Sequence, residues 1–293
     1  MSESSSSSPF VPAAPYRLLD SGGGEKLEMV GEFRLVRPCP QAFWPRRLAE
    51  GEWAAADAVY ERSTSGGGDW QYRRSLPATW HAAVHGQPWL IKPTGFGHLG
   101  IFPEQETNWG WLQQQARRLG KGARCLNLFA YTGGSTLALA HAGAQVAHVD
   151  AARGVVSWGR DNAKLQGVEA APVQWLVEDA LKFCQREVRR GRRYQGIVLD
   201  PPTFGRGPSG EMWKIETDVQ PLLQVVRDLL EPGAPGFVLL SCHSPGFSGL
   251  VLENLLAALV GKPAEMDSAE MTIPESGQAA RVLPSGCSAR WTV

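Results

Sequence analysis

Asp200-Pro201-Pro202-Thr203-Phe204 ends the apolar run Ile197-Val198-Leu199 with an acid, two prolines and an aromatic ring. Paired prolines stiffen the turn after a strand and remove backbone donors. Carbonyls of such a turn are then free to point into a cleft, and Phe204 is placed to stack on a planar group. Flipped or unpaired bases are held by face and edge in this way. The structural alternative is a rigid strand-to-loop connection. Upstream by 73 residues, Asn127-Leu128-Phe129-Ala130-Tyr131-Thr132-Gly133-Gly134 reads as a strand that enters a glycine pair and then a helical pattern. Glycines there permit close backbone approach, and the free N–H groups of a helix start favour a carboxylate or phosphate. The Gly-x-Gly-x-x-Gly of a nicotinamide site is absent.

Acids at further strand ends sharpen this reading. Asp150 closes the next apolar run, 16 residues beyond Gly134, where a carboxylate accepts bonds from both hydroxyls of a ribose. Glu178 and Asp179 close the following one, where an acid accepts from an adenine amino group. Each such bond to a charged acceptor is worth roughly 1.5–3 kcal/mol. One acid at a strand end would be explained as a cap for the next helix. Acids after three strands of one sheet favour a nucleoside site. Trp158, on the helix after Asp150, reads as core packing rather than as a neighbour of the adenine. Cys242 ends another apolar run in Leu240-Ser241-Cys242-His243-Ser244. A strand-end cysteine is usually a small buried hydrophobe. Its catalytic reading is a thiolate nucleophile, activated by His243, that adds to carbon 6 of a pyrimidine so that carbon 5 becomes nucleophilic.

The elements that must position these residues alternate along the chain. Strands are expected over 124–129, 145–149, 173–177, 196–199 and 236–241, each followed by a helix: 135–142, 155–166, 180–190, 219–230 and 249–259. A further helix with Trp109, Leu112, Ala116 and Leu119 on one face precedes them and stops at Gly120. Such alternation demands an α/β fold, a parallel sheet with right-handed crossovers on both faces. The stretch 265–293, with a turn at Pro284-Ser285-Gly286, is expected to finish the sheet as a hairpin. Residues 1–15, with the Ser4 to Ser8 run, read as a disordered tail. Residues 16–103 read as a small β-rich N-terminal domain, including a hairpin across His85-Gly86, and 104–293 as the larger domain.

With 293 residues and a hydrophobic fraction of 43%, the chain can bury a full core. No apolar run is long enough to cross a bilayer, and no signal-peptide pattern opens the chain. Eleven tryptophans are many, and most are expected in the core or at interfaces. The five cysteines are scattered without metal-ligand spacing, which argues against a disulfide framework and a zinc site and fits a reducing cytoplasm. Net charge is zero, so any contact with nucleic acid depends on local patches such as Arg186, Arg189, Arg190, Arg192 and Arg193. The plain reading of that cluster is a solvated helix end.

Together these motifs resemble the class I S-adenosylmethionine-dependent methyltransferases, and within them the large-subunit ribosomal RNA cytosine-5 methyltransferase branch. The matching segments are Phe102-Pro103-Glu104-Gln105, Asn127 through Gly134, Asp150 through Asn162, Asp200 through Phe204 and the strand ending at Cys242. The resemblance covers residues 95–293. It implies a Rossmann-like seven-stranded methyltransferase sheet with an antiparallel last strand, S-adenosyl-L-methionine as cofactor and RNA as substrate. It places Gly133 and Gly134, with Asn127 and Tyr131 from the same turn, at the methionine moiety, Asp150 at the ribose and Asp179 at the adenine. Gln105 would touch the cofactor from the preceding loop, and Asp200 would stand at the reacting methyl. Pro201, Pro202 and Phe204 would hold the base, with Cys242 and Asp200 as catalytic residues. The N-terminal region is not notably basic, the cysteine sits in Ser-Cys-His rather than Thr-Cys-Ser, and Thr203 stands where another subgroup has a second cysteine. Methylation of a ring or amino nitrogen without a cysteine is the alternative, and a protein that holds the cofactor without turnover is the rival from another class. No metal or membrane partner is expected, and a homodimer is allowed for.

Overall fold

The computed structural model describes residues 13–63, 67–260, 265–277 and 281–293. Residues 1–12 of the expected tail lie outside them. Residues 13–15 do not belong to such a tail, because Pro15 bridges Ala83 and the Ala83 N–H donates to Ala14 O at 2.9 Å.

Seven strands are formed by β1 (Arg17–Gly22), β2 (Glu25–Val30), β3 (Phe33–Pro38), β4 (Ala58–Arg62), β5 (Gly68–Tyr72), β6 (Trp80–Val84) and β7 (Gln87–Ile91), with one short helix, α1 (Glu50–Ala54). The first five make one sheet in chain order, and β6 and β7 make the hairpin that the His85-Gly86 turn implies. A 3-10 turn, Pro103–Gln105, leads into α2 (Glu106–Leu119).

Strands and helices then alternate: β8 (Arg124–Leu128), α3 (Gly134–His141), β9 (Gln145–Asp150), α4 (Arg153–Leu165), β10 (Val173–Val177), α5 (Ala180–Arg189) and β11 (Gly196–Leu199). A small hairpin of β12 (Phe204–Arg206) and β13 (Met212–Lys214) interrupts the series. It resumes with α6 (Ile215–Arg227), β14 (Phe237–Cys242), α7 (Gly249–Val260), β15 (Glu265–Pro274) and β16 (Val282–Thr292). These strands form a seven-stranded sheet in the order β10-β9-β8-β11-β14-β16-β15, parallel except that β16 runs antiparallel to both neighbours. The order reverses between β8 and β11, the place where open α/β sheets seat ligands.

Two expectations need correction. Pro284-Ser285-Gly286 is not a turn but an irregularity inside β16. Thr272 pairs Pro284 and Glu270 pairs Cys287, so one residue of β15 faces two of β16, and Gly286 takes φ +100°. Helix α6 begins four residues earlier than position 219, because the Lys214 N–H donates to Asp218 Oδ2 at 2.7 Å and closes its first turn.

Strand side chains alternate between faces. Leu126, Leu128, Ile197, Leu199, Val238, Leu240 and Cys242 share one layer with Phe183 of α5, Leu222 and Leu223 of α6 and Leu256 of α7. Cys125, Val198, Phe237 and Leu239 point the other way, onto Leu112 of α2 and Leu139 of α3. A further apolar cluster joins Val30, Trp80, Trp89 and Ile101 to Trp109, Leu137 and Ala163, so the core runs across position 103 without a break. Polar bonds bind the same seam. Trp158 Nε1 donates to Leu90 O at 2.9 Å, the Leu90 N–H to Asn162 Oδ1 at 2.9 Å, and Asn162 Nδ2 to Thr132 O at 3.0 Å. Seven of the eleven tryptophans are buried, Trp158 among them. Among the described residues, no helix is long and apolar enough to cross a membrane.

Candidate active site

The carboxyl ends of β8, β9, β10, β11 and β14 surround a cavity of about 510 Å³. Asp150, Glu178, Asp179 and Asp200 line it, together with Pro201, Pro202, Tyr131, Phe102 and His243. A smaller cavity beside it is lined by Gln105, Asn127, Tyr131, Gly134, Trp109 and Asp200. The two share Tyr131 and Asp200, so the sequence motifs meet around one continuous cleft.

The turn after β8 is strained. Phe129 and Tyr131 adopt left-handed φ of 54° and 49°, uncommon for residues with a Cβ and typical of functional turns. Tyr131 is held there by its N–H, which donates to Asp150 Oδ2 at 2.9 Å. Gly133 takes φ +96° at the start of α3, which accounts for the first glycine of the pair. Gly134 answers a packing need as well: a Cβ there would lie 2.7 Å from the Trp109 ring. Asp150 Oδ1 also accepts from the Ala152 N–H at 2.9 Å. Burial nevertheless raises its pKa, against the lowering by these two N–H donors. Asp179 does cap its helix, accepting from the Lys182 N–H at 2.9 Å, while still lining the cavity. Glu178 pairs with Arg186. Asn127 is nearly fully buried, and its Nδ2 donates to Thr136 Oγ1, which in turn meets His148 Nδ1. Its amide thus belongs to a buried chain under the smaller cavity.

Asp200 is positioned by a relay of polar side chains. Arg290 Nη2 donates to Asn108 Oδ1 at 2.8 Å, Asn108 Nδ2 to Gln105 Oε1 at 2.8 Å, and Gln105 Nε2 to Asp200 Oδ2 at 3.1 Å. Gln105 Nε2 also reaches Ser241 Oγ at 3.1 Å. The other carboxylate oxygen, Asp200 Oδ1, is buried with no hydrogen-bond partner among the described residues. Its nearest cationic candidate is His243 Nε2 at 3.8 Å, and His243 Nδ1 lies 3.8 Å from Glu104. A buried acceptor left open in this way is costly unless a ligand completes it.

Three sequence expectations fare differently. Phe204 is 51% exposed in the β12–β13 hairpin, opposite Lys214, and does not line the cavity. Trp213 takes the inward position: its Nε1 donates to Pro202 O at 2.7 Å and its ring lies 4.8 Å from Phe129. That bond also occupies a carbonyl expected to be free. Cys242 is 1% exposed, in the layer under α5–α7, and lines neither cavity. Burial raises the pKa of its thiol, and the nearest polar contact is the Ser244 N–H at 3.3 Å from Sγ. His243, the next residue, faces the cavity and Asp200 instead.

Several lining residues were not singled out in the sequence. Arg62, at the end of β4, and His98 reach the cavity from the N-terminal part of the chain, and no local pattern marks them. Burial, then the Arg37 charge, pushes the His98 pKa down to about 4, so its ring is neutral near pH 7. Trp213 is buried between the exposed Met212 and Lys214, and no sequence motif marked it.

Comparison with known proteins decides the family. A family model described as S-adenosylmethionine-dependent methyltransferase matches residues 65–256. The chain belongs to that family. The crystal structure of the SAM-dependent methyltransferase from Agrobacterium tumefaciens is 38% identical and superposes with a TM-score of 0.89, covering 96% of this chain and 91% of its own. The ribosomal RNA large subunit methyltransferase K/L of Methylococcus capsulatus is 33% identical over 213 residues, 71% of this chain and 27% of the relative. The ribosomal RNA large subunit methyltransferase I of Aeromonas hydrophila is 31% identical over 170 residues, 57% of this chain and 40% of the relative. The matched part spans well under half the length of these curated relatives. S-adenosylmethionine is the methyltransferase's cofactor, and the carboxylates of Asp150 and Asp179 on the wall of a cavity of about 510 Å³ fit it. Among the described residues, no group of three His, Cys, Asp or Glu is arranged to hold a metal ion.

Proposed function

We propose that this methyltransferase modifies a nitrogen of a base in RNA. The supporting observation is the pair Asp200 and Cys242: the carboxylate has an unpartnered oxygen at the cleft, and the thiol lies in the core behind it. The two named relatives act on ribosomal RNA by their names, which supports RNA as the substrate class. In this reading Asp150 holds the ribose and Asp179 the adenine, with Tyr131, Gly133 and Gly134 along the methionine moiety and Gln105 behind it. Asn127 supports the floor of that subsite. Residues 104–293 carry the catalysis, while residues 16–103 wall one side of the cleft. The reducing cytoplasm, where such RNA resides, is the setting we infer.

The cofactor supplies an activated methyl on a sulfonium. Asp200 accepts a hydrogen bond from the N–H of the target base, which turns the nitrogen lone pair toward the methyl. With the cofactor bound, its methyl would pass to that nitrogen, and Asp200 or His243 would take up the proton displaced from it. Gln105 keeps the carboxylate from rotating away, and Phe102, Tyr131 and Trp213 exclude water. Pro201 and Pro202 hold the base edge. Methylation of cytosine at carbon 5 is the second reading, and it requires the Cys242 thiolate to reach the cleft.

Transfer of tritiated methyl to total RNA from a deletion strain tests the proposal. Wild-type protein is expected to label RNA as an N-methylated nucleoside, and Asp200→Ala to lose about 100-fold or more of the rate. Label found only in protein or small molecules would remove RNA from the account, and 5-methylcytidine would restore the cysteine mechanism.

A further inference from the structure

At the opposite ends of the same strands lies a second cavity, of about 460 Å³. Gln145 and Val173, the first residues of β9 and β10, line it, whereas Asp150 and Glu178, at or just beyond the other ends, line the cleft. At about 3.3 Å per residue, the six residues of β9 set Gln145 and Asp150 roughly 17 Å apart, while the Arg186–Glu178 pair joins the nearer rims of the two cavities.

Five arginines line this cavity: Arg124, Arg186, Arg190, Arg192 and Arg193. Three carboxylates answer them. Glu231 pairs with Arg124 at 2.9 Å, Glu187 lies 3.2 Å from Arg190 and 3.9 Å from Arg186, and Glu178 pairs with Arg186. An excess of two positive charges remains on a chain whose net charge is zero. Arg192 and Arg193 have no carboxylate partner among the described residues. Arg186 Nε is buried with no hydrogen-bond partner.

A solvated helix end would spread its cations over a convex surface. Here the segment after α5 folds back, with Tyr194 buried and bridged to Leu230, and the arginines line a concave site. Planar donor forks around a cavity suit oxyanions, above all phosphate.

We propose that this cavity grips backbone phosphates of the RNA substrate at a distance from the target base. The proposal rests on the RNA reading above. Strand β10 is the outer strand of the sheet, so RNA lying along that edge would reach from the cleft to the arginines. The site would supply affinity and orientation without reading sequence, as phosphate contacts do.

The test compares the wild-type full chain with the double variant Arg192→Gln, Arg193→Gln, and with Arg192→Lys, Arg193→Lys, which keeps both charges. Affinity for a fluorescein-labelled single-stranded oligoribonucleotide is measured against salt concentration, and methyl transfer against total RNA concentration. Loss of two phosphate contacts should reduce the slope of log K against log salt by about 1.4. The RNA concentration for half-maximal methylation should rise severalfold, with the maximal rate and S-adenosylhomocysteine affinity unchanged. The lysine variant should recover the salt slope. If wild type methylates RNA and the glutamine variant matches it in slope and half-maximal concentration, the phosphate site is overturned while the RNA reading stands. If wild type labels no RNA, the RNA reading itself has failed, and this proposal with it. Inorganic tripolyphosphate provides the remaining arm. Binding of it that is lost in the glutamine variant, with RNA methylation unaffected, would overturn the RNA assignment in favour of a free polyphosphate.

Discussion

Asp200 and Cys242 show how two polar residues at strand ends come to lie in opposite surroundings. Asp200 follows β11 into the cleft and is fixed by Gln105, whereas Cys242 shares a face of β14 with Leu240 under the helices. Replacing Cys242 by alanine should cost about 1 kcal/mol of stability, as small core truncations do. Methyl transfer should survive within a few-fold, measured on the same RNA after confirming the melting temperature. Loss of activity in a folded Cys242→Ala protein would return the thiol to the mechanism. Asp150 and Asp200 were legible in the sequence because an acid that ends an apolar run has little choice but to sit at the carboxyl end of a strand. For the cysteine the sequence left a buried hydrophobe and a nucleophile both open, because its face depends on pairing register: moving one residue along a strand turns every side chain to the other side. The His243 side chain, one position on, illustrates the difference.

At the scale of elements, hydrophobic periodicity located the strands and helices of the large sheet to within a few residues, since burial on two faces leaves each one a distinct pattern. Turn chemistry was a poorer guide where tertiary pairing overrode it. Pro284-Ser285-Gly286 reads as a turn locally, yet cross-strand pairing with β15 absorbs it as a bulge. Phe204 likewise followed its hairpin outward, and Trp213 took its place. The loop from β7 to α2 shows why element packing matters to the site. Gly100 has φ +90°, its carbonyl accepts from Thr132 Oγ1 at 2.7 Å, and a Cβ there would lie 1.9 Å from the Trp158 ring. Gly100→Ala should therefore destabilise the fold by about 2–3 kcal/mol, from overpacking and an unfavourable backbone region together. A drop of roughly 5–10 °C in melting temperature is the expected readout. A melting temperature unchanged within a degree would mean that Trp158 is free to yield, and that the loop does not brace the turn after β8.

For the whole molecule, the N-terminal strands are joined to the catalytic sheet at two places. One is the tryptophan-rich layer from Trp80 and Trp89 to Trp109. The other is a buried polar contact in which Ser21 Oγ donates to Glu275 Oε1 at 2.6 Å and Arg281 bonds both Asp20 and Glu275. Sequence alone marked this region as β-rich but gave no sign that it lends Arg62 and His98 to the cleft, because those contacts link residues far apart in the chain. The account as a whole depends on acids from adjacent strands converging on one adenosyl ligand. Titration calorimetry with S-adenosylhomocysteine measures that convergence most directly. One molecule should bind per chain, and Asp150→Ala should weaken binding by about 10- to 100-fold, the worth of one or two bonds to a charged acceptor. Absence of binding to the wild-type protein, or equal affinity in Asp150→Ala, would contradict it.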